Sequence, residues 1–291
     1  MDGDEAPIIQ ARLRKFLLTA PALTRSLQAG RAVLHVGPWR HGVRAMIRWR
    51  RPPHYGTGSG VPALTDLDAP LLVERLRVDG IAEAGSLPFD RVARIRAVTD
   101  ALPPGEYGDF QSQPDVGVLV RSASVLNVVR AYLGAEPVLL ECNVVVGHAE
   151  DPASPTIDAQ RRFHFDYAGW HSLNLFVYLT DVDPASGAHQ VVAGTHRHTP
   201  LSDAVRVFLP AAEIEARYRN RIRTIVGAAG TMFFEDTTAV HRRRMFERRR
   251  VMLNVLYASH RSWLSAGRLV PKYSDYLRAR SENASDTDRR C

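Results

Sequence analysis

The hydrophobic and polar positions of the chain fall into two textures. Over residues 8–27, Ile9, Leu13, Phe16, Leu17, Ala20, Leu23 and Leu27 recur at helical spacing. A second helical stretch over 39–49 puts Arg40, Arg44 and Arg48 on one face and Trp39, Val43, Met46 and Ile47 on the other. Its apolar side is expected to pack on the main domain, with contact between residues 31–51 and an anionic membrane surface as the alternative. The Pro- and Gly-rich run Arg51–Gly60 reads as a linker, and helical patterns follow at 66–78 and 89–101.

From about residue 117 the pattern shortens. Val138–Val146, Leu173–Leu179, Thr231–Phe234 and Val251–Tyr257 are apolar runs of strand length, separated by Gly147, Asp183-Pro184, Ser186-Gly187, Gly194 and Gly227–Gly230. Helices followed by spaced strands predict a mainly β fold with a helical cover, a sandwich or barrel. The organisation expected is a basic helical extension over 1–60, a main domain over 61–277 and a disordered polar tail over 278–291.

Composition narrows the function classes. The chain has 291 residues, 45% hydrophobic and 24% charged, so it can bury a large core. Its two cysteines, Cys142 and Cys291, build neither a disulfide framework nor a multi-cysteine zinc site. The nearest candidate for a leader, Phe16–Val36, is broken by Arg25, Gln28 and Arg31, and a cytoplasmic protein is expected. The net charge of +7 comes from arginine clusters at 40–51 and 242–250 and favours anionic partners. No zinc-finger, RNA-recognition or helix-turn-helix signature accompanies it, so nucleic acid is not expected. The oligomeric state is not legible.

The chemistry concentrates in Phe163-His164-Phe165-Asp166-Tyr167. Side chains alternate along an extended segment, so His164 and Asp166 share one face while Phe163, Phe165 and Tyr167 fill the packed face. His241, just after the strand at Thr231–Phe234, supplies a third ligand. Two histidines and one carboxylate form the facial triad of non-haem Fe(II) oxygenases, leaving the opposite face open for a co-substrate and O2. Such an enzyme must also grip the far carboxylate of 2-oxoglutarate, and Arg250 is placed to do so. It begins the run Arg250–Tyr257, where Arg250, Met252 and Asn254 face one side and Val251, Leu253, Val255 and Tyr257 the packed side. An arginine on an interior face needs an anionic partner to offset its desolvation.

The stretch Leu179-Thr180-Asp181-Val182-Asp183-Pro184-Ala185-Ser186-Gly187, followed by Val191-Val192-Ala193-Gly194-Thr195-His196-Arg197, resembles the phytanoyl-CoA dioxygenase family. The resemblance runs from about Leu76 through Tyr257. It implies a double-stranded β-helix, or jelly roll, with helices on one sheet. It also implies iron on His164, Asp166 and His241, 2-oxoglutarate on Arg250, and Trp170 as an aromatic near the co-substrate. Ala193 and Thr195 replace the family's usual Pro and Ser, and Arg243 stands where many members carry a small hydroxyl residue. The interval from His241 to Arg250 is shorter than usual, which leaves Arg249 as the alternative co-substrate arginine.

Further expectations attach to neighbouring residues. Asn143 and His148 are candidates for contacts with co-substrate or substrate, and His171 for one beside Trp170. Arg243 and Arg244, with Arg242, Arg248 and Arg249, are expected at the mouth of the site, where they suit an anionic small molecule. His196 and His198 are expected to be hydrogen-bonded or exposed. Because Asp166 is present, hydroxylation is expected over halogenation, though desaturation, cyclisation and epimerisation use the same triad. The competing reading is a non-catalytic jelly roll that binds an anionic glycan or lipid.

Overall fold

The strand Arg250–Ala258 (β9) organises the molecule. Its odd-numbered side chains Val251, Leu253, Val255 and Tyr257 enter the largest core, while Arg250, Met252 and Asn254 line a cleft on the opposite face, as the alternation predicts. In the computed structural model, which describes residues 30, 37–55, 66–149, 159–206, 208–261 and 270–278, β9 is central in a six-stranded sheet. Its members are β1 (Ile81–Ser86), β2 (Gly105–Tyr107), β3 (Val138–Gly147), β4 (Ser172–Tyr178), β7 (Thr231–Glu235) and β9, in the order β1-β7-β4-β9-β3-β2. A second sheet has the order β6-β5-β8, formed by Ile222–Ile225 (β6), His189–Val192 (β5) and His241–Arg243 (β8). Every strand pair in both sheets is antiparallel.

Three apolar clusters define the layers. The largest packs the six-stranded sheet under α2 (Ala69–Asp79), α3 (Phe89–Thr99), α4 (Pro114–Arg121) and α5 (Ala123–Leu133), through Leu76, Ile95, Leu119 and Val128. Each such side chain contributes about 1.5–3 kcal/mol when fully buried. Between the sheets lie Phe176, Tyr178, Val191, Phe233 and Met252. Outside the smaller sheet, Phe163, Phe165, Val192 and Val240 pack with Ile214 of the helix Ala211–Tyr218. The result is the mixed α+β jelly roll expected from the sequence.

The chain departs from its pattern in three places. The strand texture expected from about residue 117 starts later: residues 114–133 are helical, because Val116, Leu119, Val120, Val125, Val128 and Val129 recur at a helical interval and bury one side. β1 was not anticipated. It is the edge strand that pairs with β7, and Asp68 caps α2 just before it by accepting a hydrogen bond from Leu71 N at 3.0 Å. The segments 8–27, 31–36 and 56–60 and the tail beyond 278, for which the sequence carries expectations, lie outside the described residues.

The helix Trp39–Arg50 (α1) reverses the expectation for its faces. Arg44 Nε donates to Trp170 O at 2.6 Å, Arg40 Nη2 to Arg197 O at 3.1 Å, and Arg48 lies over Gly134. Ile47 is its buried apolar residue, while Trp39, Met46 and Trp49 are exposed. The physical reason is on the domain surface, which offers α1 peptide carbonyls and the field of the buried Asp236 carboxylate. Guanidinium forks satisfy those groups where apolar side chains cannot. Among the described residues no single helix is long and apolar enough to cross a membrane.

Candidate active site

His164 and His241 meet because the segment before Asp166 runs antiparallel to β8. His164 and His241 form an isolated bridge, and Phe163 forms another with Leu209. The extended segment is therefore shorter than the strand expected over 163–167, yet it carries the alternation: Phe163 and Phe165 are buried in the outer cluster while His164 and Asp166 turn the other way. The ligand atoms of His164, Asp166 and His241 all lie within 4.8 Å of one another. His241 Nε2 is 3.6 Å from Asp166 Oδ2, and the two imidazole centroids are 4.4 Å apart.

Both rings are oriented for metal. His164 Nδ1 lies 2.7 Å from Arg162 O, and His241 Nδ1 lies 2.9 Å from Ala239 O. A carbonyl only accepts, so each Nδ1 carries a proton and each Nε2 is the nitrogen turned to the metal site. His164 Nε2 is buried and has no hydrogen-bond partner, an orphan of the kind a cation resolves. Burial, then the nearby His241, pushes the His164 pKa down to about 4. Burial also opposes a charge on His241, but Asp166 and Glu235 override it and lift its pKa to about 9. In the metal-free chain a proton thus sits between His241 and Asp166, where a cation fits.

The triad opens on a cleft of about 720 Å³. Asp166, His241, His189, Arg243 and Arg250 line it, with Asn174, Asn254, Phe176 and Met252. Arg250 is 2% exposed, and its Nη1 donates to Gly187 O. Phe246 lies between two guanidinium groups, with Arg243 Cζ at 3.9 Å and Arg250 Cζ at 4.9 Å from its ring centroid. Gly147 and Gly187 make that seat, since a Cβ at either position would overlap the Phe246 ring.

No protein-family model matches the chain, and no curated protein matches it by sequence. Solved structures do. The apoform of EctD from S. alaskensis superposes with a TM-score of 0.51 at 20% identity, over 68% of this chain and 80% of that one. The Fe-bound form of EctD gives 0.50 at 17% identity, over 76% and 93%. The non-haem alpha-ketoglutarate-dependent epimerase SnoN from nogalamycin biosynthesis gives 0.50 at 21% identity, over 65% and 82%.

The chain shares its jelly-roll fold with EctD and SnoN. His164, Asp166 and His241 match the two-histidine, one-carboxylate site typical of non-haem Fe(II) oxygenases.

Other residues singled out in the sequence divide by location. Arg243 and Arg250 reach the oxygenase cleft, and His148 stands at its exposed rim. Arg244 joins Arg161, Arg242 and Arg243 in an adjoining cavity. Arg248 and Arg249 instead turn outward, to Asp183 at 2.7 Å and Asp100 at 3.2 Å, so they do not flank the mouth as expected. Trp170 and His171 are not among the cleft-lining residues. His171 packs at 5.0 Å on Tyr132, which donates to the buried Asp236 at 2.6 Å, because the chain after Asp166 turns toward α1 and α5. Asn143 is also absent from the lining; Glu106 and Glu141 hold its amide at 3.0 and 3.2 Å. His196 is buried beside the same polar cluster.

Sequence reasoning missed Glu235, Asn174, Thr237 and Phe246, and left His189 without a role. Asn174 Nδ2 donates to Asn254 Oδ1 at 2.7 Å and Thr237 Oγ1 to Asn174 Oδ1 at 3.3 Å, making a polar floor. The available signal was a polar residue recurring on the apolar run of an interior strand, as Asn174 does in β4 and Glu235 at the end of β7.

Proposed function

We propose that this protein is an Fe(II)- and 2-oxoglutarate-dependent dioxygenase that hydroxylates an unactivated C–H bond of a small anionic molecule. The observation that carries the reading is a triad of two buried histidines and a half-buried carboxylate, with an orphaned His164 Nε2, opening on the same cleft as the buried Arg250. His164, Asp166 and His241 would hold the iron, and Arg250 the distal carboxylate of 2-oxoglutarate. Bound iron supplies the activation of O2, coupled to conversion of 2-oxoglutarate to succinate and CO2 with transfer of one oxygen atom to substrate. The protein's part is orientation and exclusion of water.

Arg249 is engaged with Asp100 and Thr99 O on the outer surface, which supports Arg250 as the co-substrate arginine. Phe246 and Arg243 close the cleft beside it. Arg243 and Arg244 support an anionic substrate, entering from the adjoining arginine-lined cavity. Charge reversal at either should weaken substrate binding; unchanged affinity removes the anionic requirement. Trp170, His171 and Asn143 act in this reading through the structure around the cleft.

The catalytic unit proposed spans 61–277, preceded by the basic extension 1–60, in the cytoplasm, where a free buried Cys142 stays reduced. The exposed Trp39, Met46 and Trp49 beside Arg50 support contact with an anionic membrane surface. Co-sedimentation with anionic vesicles, lost in Trp49→Ala, tests that contact.

The central test mixes anaerobic apoprotein with Fe(II) and 2-oxoglutarate and reads the weak visible charge-transfer band of the chelate. A band in wild type that is lost in Asp166→Ala supports the oxygenase. No band in folded wild type favours a non-catalytic jelly roll that binds an anionic glycan or lipid.

A further inference from the structure

Glu235 is fully buried between the two sheets. Among the described residues its ion-pair neighbours are His189 Nε2 at 2.6 Å and His241 Nδ1 at 3.7 Å. No arginine or lysine among the described residues forms an ion pair with it. The 2.6 Å contact is not aligned as a hydrogen bond, and neither carboxylate oxygen has a well-directed donor. A buried carboxylate needs a polar neighbour, and the His189 ring is the nearest one in place.

His189 is the residue that the pair presents to the cleft. It begins β5, is 5% exposed, and lines the cleft together with His241 and Arg250. Its ring stacks on that of His241, with centroids 5.5 Å apart and planes 22° apart, and is braced by Phe176 at 5.3 Å and Phe233 at 5.6 Å. Its backbone N–H donates to the Tyr178 hydroxyl at 3.2 Å. Arg250 is anchored on the carbonyl of Gly187, close before His189 on the same approach to β5. The cleft wall therefore runs from His241 through His189 to Arg250. A dicarboxylate held at the metal by one end and at Arg250 by the other would lie along it.

We infer that His189, held beside Glu235, is a further co-substrate-binding residue whose ring contacts 2-oxoglutarate between the iron site and Arg250. The inference rests on the oxygenase reading. With Nε2 taken up by Glu235, the nitrogen left for the cleft is Nδ1. Glu235 is a positioning residue: it fixes the ring without touching the ligand.

The test separates metal binding from co-substrate binding. Fe(II) affinity is measured on its own by anaerobic calorimetry, and 2-oxoglutarate is then titrated by the chelate band. His189→Leu should bind Fe(II) as wild type does and raise the Kd for 2-oxoglutarate about tenfold or more. His189→Gln, which keeps a side-chain N–H, should recover part of that loss. Glu235→Gln should weaken 2-oxoglutarate in the same direction, and it carries the test if His189→Leu does not fold. A wild-type band with an unchanged Kd in the folded His189 variant overturns this inference alone. Absence of the band in wild type overturns the oxygenase reading and this inference with it.

Discussion

His164 and His241 exchange both backbone hydrogen bonds, His164 N donating to His241 O at 2.9 Å and His241 N to His164 O at 2.8 Å. Such a doubly bonded antiparallel pair fixes the two residues opposite each other. Ligands far apart in sequence are thus set side by side by main-chain geometry, before any metal contributes. Asp166 is held by the same device, its N–H donating to Thr237 O at 2.8 Å.

The proton held between His241 and Asp166 gives the metal-free protein a defined pH dependence. His164 is pushed down to about 4, and His171 well below its ordinary value, both chiefly by burial. Below about pH 6.5 the unfolded chain takes up protons at these residues that the folded chain refuses, so stability falls with decreasing pH. His241, lifted to about 9, contributes oppositely. Its stabilisation is complete below about pH 6.5 and is lost as pH rises through 9. The melting temperature of apoprotein should therefore peak near neutrality and decline on both sides. Saturating divalent metal should remove the alkaline decline, because the cation replaces the His241 proton. A thermal-shift series across pH, with and without metal, checks both limbs.

Arg250→Lys should weaken 2-oxoglutarate about 100-fold, since an ammonium cannot reproduce a planar two-point grip. Arg249→Ala, which loses only contacts to Asp100 and Thr99 at the end of α3, should leave the Kd within about twofold. Equal losses in both would mean that the two arginines share the role. Anaerobic titration of the chelate band reads each variant.

Gly187→Ala should displace Phe246, because the added methyl overlaps its ring and the backbone there has φ +70°. The Arg243 and Arg250 side chains would lose the ring between them. Weaker 2-oxoglutarate binding is expected, and Phe246→Ala should reproduce it without backbone strain. Wild-type affinity in Phe246→Ala would show that the ring does not order Arg250.

Arg44→Ala should cost about 2–3 kcal/mol, because it strips a partly buried guanidinium from Trp170 O and from the field of Asp236. Arg48→Ala, on the exposed part of the same helix, should change stability by less than about 0.5 kcal/mol. Denaturant unfolding of both variants decides whether α1 is an integral layer or a loosely attached extension.

The sequence by itself determined what depends on short-range periodicity. The His164–Asp166 pair, the interior placement of Arg250 and the packed side of β9 all follow from the two-residue repeat of an extended chain, which tertiary structure leaves intact. Tertiary structure decided what depends on the partner surface. α1 turned its arginines inward because the domain beneath it offered carbonyls. Trp170 and His171 left the cleft because the chain bends there toward Tyr132 and α1. Glu235 and His189, on different strands of different sheets, met only when the sheets stacked. Periodicity states which face a side chain takes; which other residue awaits it there is fixed by pairing between distant segments, and one chain read alone does not carry that information.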